Sequence, residues 1–139
     1  PLNERGKKDA PAMAQKLLDK KIHIDGFVSS PAKRAKKTAE LFCEVYGAHN
    51  DDIAFISALY HAPAEIFYET IKTFDSTLNS VAVFAHNPGI TYFVNNLTAV
   101  KIDNMPTCAV FAVKADIDHW KDFAKAKKEF LFFDYPKIF

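Results

Sequence analysis

Cysteine is scarce: Cys43 and Cys108 are the only two in 139 residues, far apart and outside any CxxC or Cys/His spacing. That excludes a zinc module and a disulfide framework, and it fits a reducing, cytoplasmic setting. An excess of charge is missing as well, with 18 Lys plus Arg against 17 Asp plus Glu and a formal net charge of +1. Neither nucleic acid nor an anionic membrane surface is an expected partner of so balanced a chain. No apolar run approaches the roughly 18 residues of a membrane span, and the polar, basic start Pro1 to Lys8 is no signal peptide. Repeats, low-complexity tracts and Gly/Ser linkers are absent, so a single domain over 1–139 is expected.

What is present is a core. Apolar residues make up 49% of the chain and thirteen are phenylalanine, which rules out disorder. A chain of this length buries about two thirds of its unfolded surface and needs no metal or cross-link to hold together.

Helix and strand patterns alternate. Asn3 is a plausible cap for a first helix whose Ala10, Met13, Ala14, Leu17 and Leu18 recur at helical spacing and which ends among Asp19 to Lys21. A strand at Gly26 to Ser29 precedes a helix from Pro31 to about Tyr46, closed by Gly47. A strand is expected at Ile53 to Ser57, a helix from Pro63 to Phe74, and an apolar strand from Val81 to Ala85. A short helix from Pro88 to Thr98, a strand at Cys108 to Lys114, a Trp120-bearing segment and Phe130 to Phe133 follow. Strands apolar on both faces and separated by helices argue for an α/β three-layer sandwich around a mostly parallel sheet. In such sheets ligands bind beyond the carboxyl ends of the strands.

Two strand ends carry suitable chemistry. In Val28-Ser29-Ser30-Pro31-Ala32-Lys33-Arg34, Ser30 is a candidate N-cap and Pro31 a candidate first helical residue, so free helix N–H groups favour an anion there. On a helical wheel Lys33, Lys36, Lys37, Glu40 and Glu44 share a polar arc, whereas Arg34 falls between Leu41 and Val45 on the apolar side. Either the guanidinium grips an anion with its planar fork, or it snorkels from the core edge to water. The second strand end is Phe84-Ala85-His86-Asn87-Pro88-Gly89-Ile90, where an apolar strand delivers His86 and the Asn87 N–H to another helix start. A histidine at such a corner is more often a cap than a catalyst, but its convergence with Arg34 favours function. His23, His49, His61 and His119 lack such company and are read as surface residues.

These two stretches, VSSPAKRAKKTAE and VAVFAHNPGI, resemble the histidine phosphatase superfamily and its small SixA-like branch of phosphohistidine phosphatases. The likeness extends to PLNERGKKDA, MPTCAVFAV and FLFFDYPK. It implies a phosphoglycerate mutase-like fold and a pocket of two histidines and two arginines, in which one histidine attacks phosphorus without a metal or other cofactor. By motif Arg34 matches the second pocket arginine and His86 the second histidine: Arg34 would bind phosphoryl oxygens, His86 would donate to the charge on them, and Asn87 would add its backbone N–H. The expected partner is a phosphate-bearing substrate, foremost a phosphohistidine protein, since the lid insertions of larger relatives are missing. A small phosphate ester, or a phosphate-binding module without turnover, are the alternatives.

One element of the pattern is missing. The family's nucleophile sits in an Arg-His-Gly or Arg-His-Ala motif at the end of a first strand, but Arg5 and Arg34 are the only arginines and neither precedes a histidine. An upstream segment carrying that strand is therefore expected; without it the sheet would keep two unpaired edges and a gap in the core. Nor does a leaving-group acid stand out, because Glu65 and Glu69 match no pattern and read as helix surface.

Overall fold

Asn3 starts the first helix as a side-chain cap. In the computed structural model, which describes residues 2–136, its side chain accepts a hydrogen bond from the Gly6 N–H at 2.8 Å. Pro1 and Lys137, which belong to the matched terminal stretches, lie outside the described residues. Helix α1 runs over Glu4–Asp19 and buries Ala10, Met13, Ala14 and Leu17, the stripe expected from their spacing. Strand β1 (Gly26–Ser29) leads to α2 (Lys33–Tyr46), which Gly47 closes in the left-handed conformation at φ 72°. Strand β2 (Ile53–Phe55), α3 (Ala64–Lys72), β3 (Val81–Phe84), α4 (Gly89–Leu97), β4 (Val110–Ala115) and β5 (Lys128–Asp134) complete the order.

Three strands form a parallel sheet in the order β2-β1-β3, with Phe27 opposite both Ile53 and Ala82. Alternation along the strands sends side chains to two cores. Phe27, Ala82 and Phe84 face α1 and α2, where Phe84 meets Phe42 edge-on at 5.3 Å. Val28, Val81 and Val83 face α3 and α4, where Phe67 stacks on Phe93 at 4.6 Å. This is an α/β fold with a parallel central sheet between helical layers.

The parallel central sheet is as expected, and a second, antiparallel pair of strands lies beside it. β4 and β5 pair only with each other among the described residues, as an antiparallel ribbon with an irregularity between Ala112 and Val113. The ribbon keeps the two-sided pattern, Val110 and Phe132 joining the α1–α2 core and Phe111 and Val113 the α3–α4 core. Between β3 and β4 lies a cavity of about 1250 Å³, lined by both strands and by Phe42, Phe93 and Leu2. This explains why β3, apolar throughout and central by composition, is only half-buried along its length.

Several boundaries move for local reasons. α2 begins at Lys33 with Ala32 at the cap position, not at Pro31. Ser30 remains bound to the sheet, donating its N–H to the Phe84 carbonyl at 2.9 Å, while its hydroxyl accepts from the Ala32 N–H at 3.2 Å in a turn. β2, expected to reach Ser57, stops at Phe55, and Ser57–Leu59 coil into a 3-10 turn. Cys108, expected in a strand, sits in a turn at φ 65°, followed by an Ala109 N–H donated to Pro106.

Candidate active site

Parallel strands release their chains at one end of the sheet, and the loops after β1, β2 and β3 meet there. From β1 comes Arg34, in the first turn of α2. Its side chain is exposed and lines the mouth of the cavity together with Ala35 and Thr38. No hydrogen bond or ion pair engages its guanidinium among the described residues. Lys36 and Lys37 stay on the solvent face, and Lys36 rests over the Phe55 ring at 5.6 Å.

From β3 comes His86, half-buried at the same mouth. Its Nδ1 is buried without a hydrogen-bond partner among the described residues. Leaving such a nitrogen unsatisfied costs about 1–3 kcal/mol, so any ligand or chain segment that reaches it gains binding energy. Burial first, then the neighbouring His61 and Arg34, hold the His86 pKa below the ordinary value of 6.5.

Asn87, expected to offer its backbone N–H, lines the cavity, and its side chain is engaged elsewhere. Its side-chain amide donates to the Met105 carbonyl at 2.9 Å and its carbonyl accepts from Thr91, whose hydroxyl in turn accepts from the Met105 N–H at 3.0 Å. The side chain thus ties the β3–α4 corner to the 105 loop, leaving only the backbone to face a ligand. The Asn87–Pro88 peptide bond is cis, and α4 begins one residue later than expected, at Gly89.

From β2 comes the residue the sequence reading set aside. His61 lies in the turn between Leu59 and α3, exposed and at φ 54°, with its Nδ1 3.4 Å from His86 Nε2. The two rings meet edge to face at 5.0 Å, and Tyr60 contacts both, at 4.4 Å from His61 and 5.6 Å from His86. Gly89 permits this approach: a Cβ there would stand 2.3 Å from the carbonyl oxygen of Ala62, so only glycine lets the turn close on the start of α4. The available signal was the rule of strand ends itself, applied to β1 and β3 but not to the parallel strand between Ile53 and Phe55.

The remaining candidates fall elsewhere. Glu65 and Glu69 are exposed on α3 and do not line the cavity. His119 bonds the Ser76 hydroxyl at 3.0 Å, on the side where β3 begins, and His49 forms a capping box with Asp52.

Comparison with known proteins bears on the fold. Residues 1–54 match the histidine phosphatase superfamily (branch 1). No curated protein sequence matches the chain. Among solved structures, the protein histidine phosphatase SixA complexed with tungstate superposes with a TM-score of 0.80 at 21% identity, over 97% of this chain and 83% of that one. A protein of Agrobacterium tumefaciens assigned as a SixA phosphohistidine phosphatase gives 0.76 at 20% identity, over 96% and 82%. Its counterpart from Nakamurella multipartitia gives 0.81 at 18%, over 98% and 84%. Residues 1–54 are thus similar in sequence to the histidine phosphatase superfamily (branch 1), and nearly the whole chain has the phosphoglycerate mutase-like fold of the SixA structures.

Proposed function

We propose that this protein is a phosphatase with a histidine nucleophile that acts on phosphohistidine in proteins. The observation that carries the proposal is the meeting of Arg34, His86 and His61 at the carboxyl ends of parallel strands, beside two helix starts. Arg34 binds the phosphoryl oxygens with its uncommitted fork, and His86 donates to the charge that grows on them in the transition state. The helix N-termini add backbone dipoles of the same sense. A mouth open to solvent suits a phosphate carried on a protein.

The attacking histidine belongs, in this proposal, to a β-strand seated between β3 and β4. Three features support it: both facing edges are unpaired among the described residues, the cavity between them is apolar in its depth, and Leu2 lines it, so a strand joined before Pro1 would enter there. The nucleophile's nitrogen bonds to phosphorus as the bond to the leaving nitrogen breaks. Water then breaks the new P–N bond and frees orthophosphate.

Tungstate, the oxyanion held by the SixA structure above, is the probe for the pocket. Calorimetry should show tungstate binding that falls at least tenfold in Arg34→Ala and in His86→Ala. A 32P-phosphohistidine intermediate and phosphate release should require a strand ending in Arg-His, attached upstream of Pro1. Turnover by the 139-residue chain alone at an unchanged rate would refute the nucleophile assignment, and tungstate binding indifferent to both variants would refute the pocket.

A further inference from the structure

We propose that His61 is the proton donor to the leaving group, an assignment that rests on the phosphatase reading above. Breaking a phosphorus bond to an imidazole or an alkoxide needs a proton on the departing atom, because the bare anion leaves poorly. Among the described residues no carboxylate answers that need beside His86: Glu65 and Glu69 lie outside the cavity lining, and Asp118, which lines it, sits next to His119 on the side where β3 begins. His61 does, by position. It is exposed while His86 is half-buried, so it occupies the solvent side of the pair, where the leaving group of a protein-borne phosphate must depart.

The surroundings specialise the two rings. His86 sits deeper, where burial first, then His61 and Arg34, disfavour a positive charge on it. His61 is the ring exposed to water. Tyr60 packs against both rings and Ala62 is clamped against Gly89, so the donor is fixed from both sides along the chain.

The proton balance closes. As the substrate P–N bond breaks, His61 passes its proton to the departing nitrogen, which leaves as neutral imidazole. In the second step neutral His61 takes a proton from the water that attacks phosphorus, while the enzyme histidine departs from phosphorus as neutral imidazole. His61 is then charged again for the next cycle.

The test compares leaving groups in His61→Ala and His61→Gln, made in the protein that carries the upstream strand. General acid assistance contributes typically about 10²–10⁴-fold and is needed least by p-nitrophenolate. The ratio of kcat/KM for p-nitrophenyl phosphate to that for phenyl phosphate should therefore rise about 100-fold in both variants. The phosphohistidine protein should follow phenyl phosphate. Equal losses on all three substrates in a folded variant would assign His61 a positioning role and overturn the proposal. If the unsubstituted protein hydrolyses none of the three, the phosphatase reading fails and this inference with it.

Discussion

Replacing Gly89 by alanine tests how the site is assembled, independently of any substrate. The new methyl would stand 2.3 Å from the Ala62 carbonyl oxygen, where a carbon–oxygen contact needs about 3.3 Å. The turn and α4 must then part by about 1 Å. Overpacking of this kind costs about 1–3 kcal/mol, and alanine in place of glycine at a helical position returns about 1 kcal/mol. The net loss of stability is thus about 0–2 kcal/mol, too small to unfold a domain. The site suffers more. His61 is adjacent to Ala62, and a 1 Å retreat takes its Nδ1 from 3.4 Å to about 4.4 Å from His86, beyond hydrogen-bond range. His61 is one of the three causes that hold the His86 pKa down, so its retreat lets that pKa rise. A two-dimensional NMR titration of the imidazoles should show the upward move in Gly89→Ala, alongside urea unfolding that remains cooperative. A folded Gly89→Ala variant in which His86 titrates as in the unsubstituted chain would refute the reasoning.

Other outcomes follow from the same structure. Because the folded pKa of His86 is below 6.5, the unfolded chain binds more protons in that window; stability is complete above about pH 6.5 and declines as pH falls from there through the folded value. His86→Asn should flatten this acid limb in urea midpoints measured from pH 5 to 7. Burial, chiefly, pushes the thiols of Cys43 and Cys108 up to about 11, so Ellman's reagent at pH 8 should react only as fast as the protein unfolds. Rapid labelling of native protein would contradict that. Phe67, 1% exposed and stacked on Phe93, should lose about 3–5 kcal/mol on change to alanine, read from denaturant unfolding.

The fold was largely legible where local physics is decisive. The Asn3 cap, the Gly47 stop and the apolar stripe of α1 depend on neighbours within a turn or two, and each lies where its sequence places it. Arg34 could be singled out because a helical wheel is itself local geometry, and it does line the cavity. Ser30 misled because its hydroxyl can cap a helix or close a turn with equal ease, and its bond to Phe84 across the sheet decided between them. The role of Asn87 was equally out of reach, since Met105, its partner, is brought to it only by tertiary structure. His61 is the instructive miss. Its meeting with His86 spans 25 residues of sequence and depends on a missing side chain at Gly89, a feature with no local signature.

The edges of β3 and β4, unpaired among the described residues, would make recognition there a matter of backbone, and backbone recognises almost any partner. Ladder hydrogen bonds do not read side chains; the cavity asks only that alternate residues be apolar. A suitable strand from another molecule, including a second copy of this chain, therefore competes on nearly equal terms of contact with one that is covalently attached. What separates them is concentration. A strand attached near Leu2 would act at an effective concentration of about millimolar, which an unattached strand reaches only at high protein concentration. Fidelity at such a slot would be kept by connectivity rather than by complementarity, and a strand held there would also bar a second copy from pairing at the same edges.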